Sequence, residues 1–596
     1  MAGPTHPCPG GYRDRVISNR RIAAALQELA ELVKLEEGSS QAFRVRAYER
    51  AAGAVRDHPL AVAGLDPADL QTIDGLGRAT ADKVRQFIDT GSIDQLDKLR
   101  LKYPPDFVEL TRIPGVGPKT AVMLRHRLGV GNIEDLRAAI AAEQVRELPG
   151  MGARSEEKIA KSIERLGLHG KDRRTPIIQA LPVAGEAAAY LAQLDGVVEV
   201  QVCGSLRRFS ETIGDIDIVV AADDASSVMA AVVAMPAVAE VVVSGDTKTS
   251  VLTDRGLQVD VRVVEPGQFG AATIYFTGSK QHNIELRQRA MAAGLLLNEY
   301  GLEESETGTV VAAATEEDVY RALGLAFVPP EIREGVGEMA LAADDRLPTL
   351  VTAADIRGDL HVHSTWSGDG RSSLVEMIAT AAARGLEYVG ITEHGEDLAI
   401  NGLSRQQIAE ERAVIEGLRE QYPDLTILHG AELNIAADGH VDYDDEVLSR
   451  FDWCIASVHS LFDQTEAQQT ARVIGAIENP WVDAIGHLTG RRIGKRPGIE
   501  LDFTAVFAAA AETGTALEIN SHLDRLDVPA AELRRAMQVP DLRFTISTDS
   551  HHVGEFGNIV WGVANARRGW VEPARVVNTL PKQEFLTWLR TRRQKR

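Results

Sequence analysis

Asp359-Leu360-His361-Val362-His363 is a short apolar run with two imidazoles set two residues apart. On a β-strand both would point to one side. Six further runs of strand-like length follow: Tyr388–His394, Thr426–Leu433, Trp453–His459, Val482–His487, Thr515–Asn520 and Phe544–Asp549. Segments of helical length separate most of them, and this alternation predicts a parallel β/α barrel. The chemistry of such barrels sits at the C-terminal strand ends. Nearly every run ends in or beside a ligand-type residue: His361, His363, Asp369, His394, Glu432, His459, His487, Asp549 and His551. Imidazoles and carboxylates converging on one rim would repel one another or stand unpaired without cations. Mixed nitrogen and oxygen ligation suits Zn, Mn or Fe better than Ca or Mg, and metals held close together can clamp both oxygens of a phosphodiester.

Upstream, the chain mixes strand-like runs (Val197–Val202, Ile216–Ala221, Glu240–Val243, Leu257–Val264) with helical stretches. Cys203-Gly204-Ser205-Leu206-Arg207-Arg208 follows the first run, and Asp215-Ile216-Asp217 opens the second. Two aspartates one residue apart share a strand face, and Asp260 on a later strand adds a third carboxylate. Three such groups make a two-magnesium site. Gly204 and Ser205 supply a turn whose N–H groups and hydroxyl can cradle phosphate, and Arg208 adds bidentate phosphate recognition.

The head of the chain has a different character. Residues 1–175 carry 28 Lys/Arg against 24 Asp/Glu, whereas the whole chain has a formal charge of −22. Any polyanion is therefore expected to be gripped by the head. Its helical spacing (Ile22, Leu26, Leu29, Val33) is broken by three Gly-x-Gly turns at Gly75/Gly77, Gly115/Gly117 (followed by Lys119) and Gly150/Gly152. Backbone N–H groups at such helix starts can hold a phosphate without reading bases. The third turn carries Met151 and the acidic pair Glu156-Glu157, which leaves a purely structural reading open for it. A length of 596 residues predicts several domains, and 44% apolar residues exclude a disordered chain. The three scattered cysteines argue against a disulfide framework. With no apolar core in Met1–Arg21 and no long apolar run, a cytoplasmic protein without membrane contact is expected.

Taken together, Asp359-Leu-His-Val-His, Ile391-Thr-Glu-His, Gly430-Ala-Glu-Leu, Ser457-Val-His-Ser, Gly486-His-Leu-Thr-Gly and Ser547-Thr-Asp-Ser-His resemble the polymerase-and-histidinol-phosphatase (PHP) family. That resemblance implies a distorted seven-stranded barrel with up to three Mn²⁺ or Zn²⁺ ions. One would be held by His361, His363, Glu432 and Asp549, a second by Glu432, His459 and His487, a third by Asp369, His394 and His551. Two departures stand out. Ser367-Gly368-Asp369-Gly370 is one residue longer than the family's Ser-Asp-Gly, which leaves the register of Asp369 open, and Thr392-Glu393-His394 replaces the usual Thr-Asp-His. The central segment, with Tyr275-Phe276-Thr277-Gly278 and Asn283, resembles family X DNA polymerases. The resemblance implies that Gly204, Ser205, Arg208 and Gly214 hold a dNTP triphosphate, that Tyr275, Phe276 and Gly278 pack against its sugar, and that Asn283 reaches the base's minor-groove edge. Where some members have serine before that glycine, Ile213 stands here. The Gly-x-Gly turns resemble helix-hairpin-helix motifs, and residues 40–52 resemble the small N-terminal domain in which a lysine attacks abasic sugars. By spacing that lysine is Lys83, while Ala79 occupies the position of a second.

The expected architecture is multidomain. It comprises a helical DNA-binding domain (1–90) and helical fingers (91–172), both with helix-hairpin-helix motifs. An α+β nucleotidyltransferase palm (173–262), a thumb (263–326), a linker (327–356) and the PHP barrel (357–596) complete it. The order matches bacterial polymerase-X proteins. It implies a monomeric repair polymerase filling short gaps in primer-template DNA with dNTPs and two Mg²⁺, plus a metal-dependent 3'-5' exonuclease in the barrel that could also cut abasic sites or remove 3'-phosphates. The competing readings are a phosphatase of small phosphomonoesters tethered to DNA by its front half, and a non-catalytic DNA-end scaffold. The three close carboxylates argue against the scaffold.

Overall fold

The structure is a computed structural model that describes residues 19–38, 42–58, 62–111, 113, 115–166, 174–398 and 400–594. The chain divides into two compact units, Met1–Arg173 and Arg174–Arg596. Among the described residues no helix is long and apolar enough to cross a membrane.

The first unit is helical, and five of its helices frame the turns: α1 (Asn19–Glu37), α2 (Phe43–Asp57), α3 (Arg78–Thr90), α4 (Pro118–Leu128) and α5 (Ala153–Leu166). The α1 stripe Ile22, Leu26, Leu29 and Val33 is wholly buried, as its spacing predicted. Gly77 and Gly117 cap α3 and α4. Gly75 and Gly115 both adopt φ +94°, a backbone that side chains rarely tolerate.

The second unit starts with α6 (Ile177–Leu191), followed by β1 (Val197–Val202), β2 (Ile216–Ala222), α7 (Ala225–Ala234), β3 (Val238–Ser244), β4 (Lys248–Thr253) and β5 (Gln258–Val264). The five strands pair in the order β1-β2-β5-β4-β3, with β2 and β5 parallel. Ile216, Ile218 and Val220 face α6 and α7, while Val219 and Ala221 pack with Phe269 and Ala272 of α8 (Phe269–Thr277). The period-2 alternation of β2 thus puts Asp217 on the α8 side. β4 was not expected, because Lys248, Thr249, Ser250 and Thr253 mask its alternation. Residues 167–173 lie outside the described residues, and Thr175–Pro176 pairs with Thr212–Ile213 as a short strand. After α9 (Lys280–Ala292), Val328, Ile332, Met339 and Leu350 are buried in the core that holds Ile274, Leu286 and Tyr320. Residues 327–356, read as a linker from their prolines, are thus largely packed.

Seven parallel strands then lie side by side in chain order: β6 (Gly358–Val362), β7 (Tyr388–His394), β8 (Thr426–Asn434), β9 (Trp453–Ser457), β10 (Ala484–Ile485), β11 (Ala516–Asn520) and β12 (Phe544–Ser547). They match the seven apolar runs. At its rim the barrel closes through a Val362–Ser550 bridge and a 2.8 Å bond from His363 N–H to the Ser550 carbonyl. Two helices follow, α10 (Ile559–Arg568) and α11 (Lys582–Gln594). α11 plugs the opposite end. Phe585 stacks on Tyr388 at 4.4 Å, and Arg592 and Arg593 both donate to the fully buried Asp483, at 2.6 and 2.5 Å. Asp483 also accepts from Cys454 N–H.

Removing Asp483 strands the buried Arg592 guanidinium. Asp483→Ala is expected to destabilise the barrel by about 3–5 kcal/mol, the scale for breaking a buried ion pair. A calorimetric scan should show a lowered barrel transition, and an unchanged scan would contradict this role.

Candidate active sites

At the barrel rim every ligand-type residue expected there converges. Glu432, fully buried on β8, is the hub. Its Oε2 lies 3.5 Å from His361 Nε2, 3.5 Å from His363 Nε2 and 2.9 Å from His394 Nδ1. Its Oε1 lies 3.2 Å from His459 Nε2 and 2.9 Å from His487 Nε2. Asp549 Oδ1 stands 3.5 Å from His361 Nε2 and 3.4 Å from His363 Nε2. Asp369 Oδ2 lies 3.3 Å from His394 Nε2 and 3.5 Å from His551 Nε2, so the longer loop still delivers its carboxylate.

Both sequence departures meet in that loop. Glu393 is buried and its carboxylate accepts from the backbone N–H and hydroxyl of Ser364 and of Ser367, at 2.5–3.1 Å. Gly370 lets the loop fold back, because a Cβ there would sit 1.7 Å from the Ser364 carbonyl oxygen. Glu393 thus pins the loop rather than joining the cluster. Burial, reinforced by Glu411, pushes its carboxyl up to about 8.

The cluster fits a cation site. His361 Nε2, both nitrogens of His363, His394 Nδ1 and both Glu432 oxygens are buried without a hydrogen-bond partner. Such orphaned atoms are costly unless something ligates them. Burial and the neighbouring His551 and His394 hold His363 down to about 3, and burial holds His487 down to about 4, so both are neutral ligand-type imidazoles. Burial opposes charge on His394 as well, but Glu432 and Asp369 raise it to about 10. Three overlapping groups have geometry for an ion: His361/His363/Glu432, His363/His394/His551 and His394/Glu432/His459. They interleave the three sets that the family resemblance implied.

The sequence reading missed the supports. Glu518 on β11 accepts from His361 Nδ1 at 2.7 Å, which leaves Nε2 free. Asn434 Oδ1 accepts from His459 Nδ1 at 2.7 Å, and Asn434 Nδ2 donates to Asp442 at 2.9 Å. Asn520 Nδ2 donates to Asp549 at 3.2 Å. Glu518 was visible as a charge inside an apolar strand, and Asn434 as the next residue on the Glu432 face. A cavity of about 280 Å³ opens over the cluster, rimmed by Arg371, Arg492, His522 and Arg525.

In the palm, Asp217 and Asp260 are register partners on β2 and β5, and Asp215 immediately precedes β2. Burial, then Asp215 and Asp260, push the Asp217 carboxyl up to about 7. Burial and Asp260 also raise Asp215. Lys248 Nζ sits 3.0 Å from Asp260 and Gln258 donates to it at 2.7 Å. Three carboxylates this close, with Asp215 and Asp217 both raised, fit divalent cations. Gly204 lies against Asp217: a Cβ there would be 2.4 Å from Oδ2. Ser205 follows it in a short helical turn, and Gly214 is exposed beside Asp215. Arg208 is largely covered; it donates to the Thr277 carbonyl at 2.5 Å and to Glu334 at 3.2 Å. Tyr275 and Phe276 end α8 edge to face, and Gly278 follows at φ +70°. Asn283 donates to the Tyr275 carbonyl at 2.7 Å and lines a small pocket with Tyr275 and Arg287.

In the first unit, a Cβ at Gly75 would meet Ala54 at 3.2 Å and one at Gly115 would meet Ile159 at 3.2 Å, whereas Gly77 and Gly117 have nothing within 4 Å. The first glycine of each pair makes the turn, and the second leaves backbone open to a ligand. Lys119 is exposed one residue into α4. Lys83 lies on α3, its ammonium 5.8 Å from the centre of the Tyr48 ring. At the third turn, Glu156 is buried and accepts from Arg146 N–H at 2.8 Å and Nε at 2.7 Å, a structural role.

Comparisons with known proteins agree with this layout. The chain matches a helix-hairpin-helix domain over residues 17–93 and a SAM-like helix-hairpin-helix tandem over 107–165. It matches the DNA polymerase beta palm over 182–282, the DNA polymerase beta thumb over 272–334 and the PHP domain over 359–522. It is 36% identical to the "DNA polymerase/3'-5' exonuclease PolX" of Bacillus subtilis (strain 168) over 573 residues, 96% of this chain and 99% of that one. Over about a third of its length it is also similar to two proteins named "Probable phosphatase". That of Acetivibrio thermocellus is 31% identical over 34% of this chain and 83% of its own, and that of Photobacterium profundum is 29% identical over 34% and 80%.

Two outcomes follow. Asn434→Ala frees the His459 ring to turn, so Mn²⁺ affinity of the barrel should fall about 10–100-fold by calorimetric titration, the usual cost of losing such a support; unchanged affinity would contradict it. In the palm, a proton on Asp217 competes with the cation. Apparent Mg²⁺ affinity should therefore rise by up to about tenfold per pH unit below 7 and level off above it. A flat profile between pH 6 and 7 would contradict that competition.

Proposed function

The chain belongs to the PolX family of DNA polymerase/3'-5' exonucleases, and from that premise we propose how its clusters divide the work. It is a DNA polymerase whose PHP domain carries a 3'-5' exonuclease activity. Asp215, Asp217 and Asp260 would hold two Mg²⁺ ions. The barrel histidines with Glu432, Asp369 and Asp549 would hold up to three, Mn²⁺ or Zn²⁺. When bound, such ions supply charge neutralisation at phosphate and a more acidic attacking hydroxyl or water.

The remaining steps fall to the protein's own groups. Asp260 would face the primer 3'-hydroxyl, with Asp215 and Asp217 on the phosphate side. Gly204, Ser205, Arg208 and Gly214 would hold the triphosphate. The turn of Tyr275, Phe276 and Gly278 would pack on the sugar and exclude a 2'-hydroxyl, and Asn283 would meet the minor-groove edge, where every base offers an acceptor. The open backbones at Gly77 and Gly117, with Lys119, would grip phosphates of gapped or primer-template DNA. Lys83 would be the amine for any Schiff-base attack on an abasic sugar. Short gaps are the substrate this two-ended grip favours.

In the barrel, Arg371, Arg492 and Arg525 surround a 280 Å³ cavity above the cluster. That volume admits the end of a strand rather than a duplex, which favours removal of terminal nucleotides. The chain's likeness over a third of its length to "Probable phosphatase" proteins favours a second reaction in the barrel, loss of a 3'-terminal phosphate. The observation that carries the division of labour is the presence of two complete clusters on separate sheets, one of carboxylates paired across β2 and β5, one gathered around Glu432.

A 5'-labelled primer on one-nucleotide-gapped DNA with Mn²⁺ tests it. Asp260→Ala should abolish extension and leave shortening intact, and His361→Ala should do the reverse. Loss of both activities in either variant would contradict independent sites.

A further inference from the structure

We propose that Arg568, on barrel helix α10, is a positioning residue for the polymerase's triphosphate site; this rests on the assignment of Arg208 to the triphosphate. Arg208 is engaged in the structure. Its Nη1 donates to the Thr277 carbonyl at 2.5 Å and its Nε to Glu334 Oε1 at 3.2 Å. A triphosphate has to draw it away from Glu334. But Glu334 does not belong to Arg208 alone. Arg568 Nη1 donates to the same Oε1 at 3.0 Å, and also to the backbone carbonyl of Arg208.

One carboxylate oxygen therefore sits between two guanidiniums, with the three side chains 14%, 25% and 15% exposed in the order Arg208, Glu334, Arg568. A carboxylate with one arginine makes a neutral pair. Shared between two, it leaves a net positive charge that a triphosphate can use. Arg568 also keeps Glu334 partnered when Arg208 leaves, so no largely buried carboxylate is stranded by the exchange. Without Arg568, Glu334 would hold Arg208 as its sole counterion.

The surroundings fix this arrangement. Trp561 and Arg568 are seven residues apart, on one face of α10. Trp561 stacks on Phe209, the residue after Arg208, at 5.7 Å and 8°. Arg567 Nε donates to Glu331 at 2.7 Å, and Arg333 is buried against Glu316 at 2.7 Å. Glu331 and Arg333 thus anchor the chain just before Glu334. α10 itself is seated tightly on the barrel: a Cβ at Gly562 would be 2.0 Å from Ser521 Oγ and 2.8 Å from Ile546 Cγ2. The same helix therefore supports the backbone that carries Arg208 and competes for its counterion. The barrel contributes to nucleotide binding in the palm without touching the nucleotide.

The test is single-nucleotide insertion by the full-length protein, with kcat and the KM for dNTP measured separately and exonuclease rates measured in parallel. Arg568→Ala should raise KM on the order of tenfold, the scale of one charge-assisted hydrogen bond, with kcat and exonuclease rate little changed. Arg568→Lys should recover most of the loss. Glu334→Gln alone should lower KM, because Arg208 loses its competitor. In the Glu334→Gln background, Arg568→Ala should have no further effect. An equal KM defect in that background, a parallel fall in exonuclease rate, or an unchanged KM would overturn the proposal. A wild type that inserts no nucleotide would instead overturn the polymerase assignment itself.

Discussion

Glu432 lies buried at the barrel rim with five imidazole nitrogens within 3.5 Å of its two oxygens. A carboxylate taken so far from water survives only among positive charges, and the neutral His363 and His487 beside it supply none. The strand ends are arranged around this one demand. β6 sends His361 and His363 to one side of it, β7 sends His394, and the segments after β9, β10 and β12 bring His459, His487, Asp549 and His551. Supports one layer out (Glu518, Asn434, Asn520) turn ring nitrogens and carboxylate oxygens inward rather than contributing ligands. The far end of the barrel carries the opposite solution: a buried aspartate, Asp483, satisfied by two arginines from α11. One end is closed by the protein's own charges and the other is left to be closed by ions.

The palm meets the same constraint on a smaller scale. Asp217 and Asp260 stand in register, and Lys248 offsets part of their repulsion. Here the cluster is open, as a site that must admit a primer end and a nucleotide has to be. The buried, walled cluster suits hydrolysis of a chain end, and the open one suits joining of two substrates. The two differ more in access than in donor type, since both gather carboxylates where a cation fits.

Much of this was legible in the sequence, for an identifiable reason. The seven barrel strands are buried on both faces, so each reads as an apolar run, and each ligand interrupts apolar surroundings at a run's end. The register of Asp369 was not legible, because it depends on Gly370 folding back onto Ser364 and on Glu393 reaching the longer loop. β4 was hidden by its polar residues. Residues 327–356 looked like a linker because prolines break their pattern, yet Val328, Ile332 and Leu350 are core. The Arg208–Glu334–Arg568 chain was invisible, since Arg568 lies 360 residues from Arg208 and each residue alone reads as a solvated charge.

The two clusters are best explained as cation sites of one chain. The most direct measurement is anomalous diffraction from crystals of the full-length protein grown with Mn²⁺. Peaks are expected among His361, His363, His394, Glu432 and Asp549, with a separate peak among Asp215, Asp217 and Asp260. Crystals that diffract well but show no anomalous density at Glu432, with its five histidines in place, would contradict it.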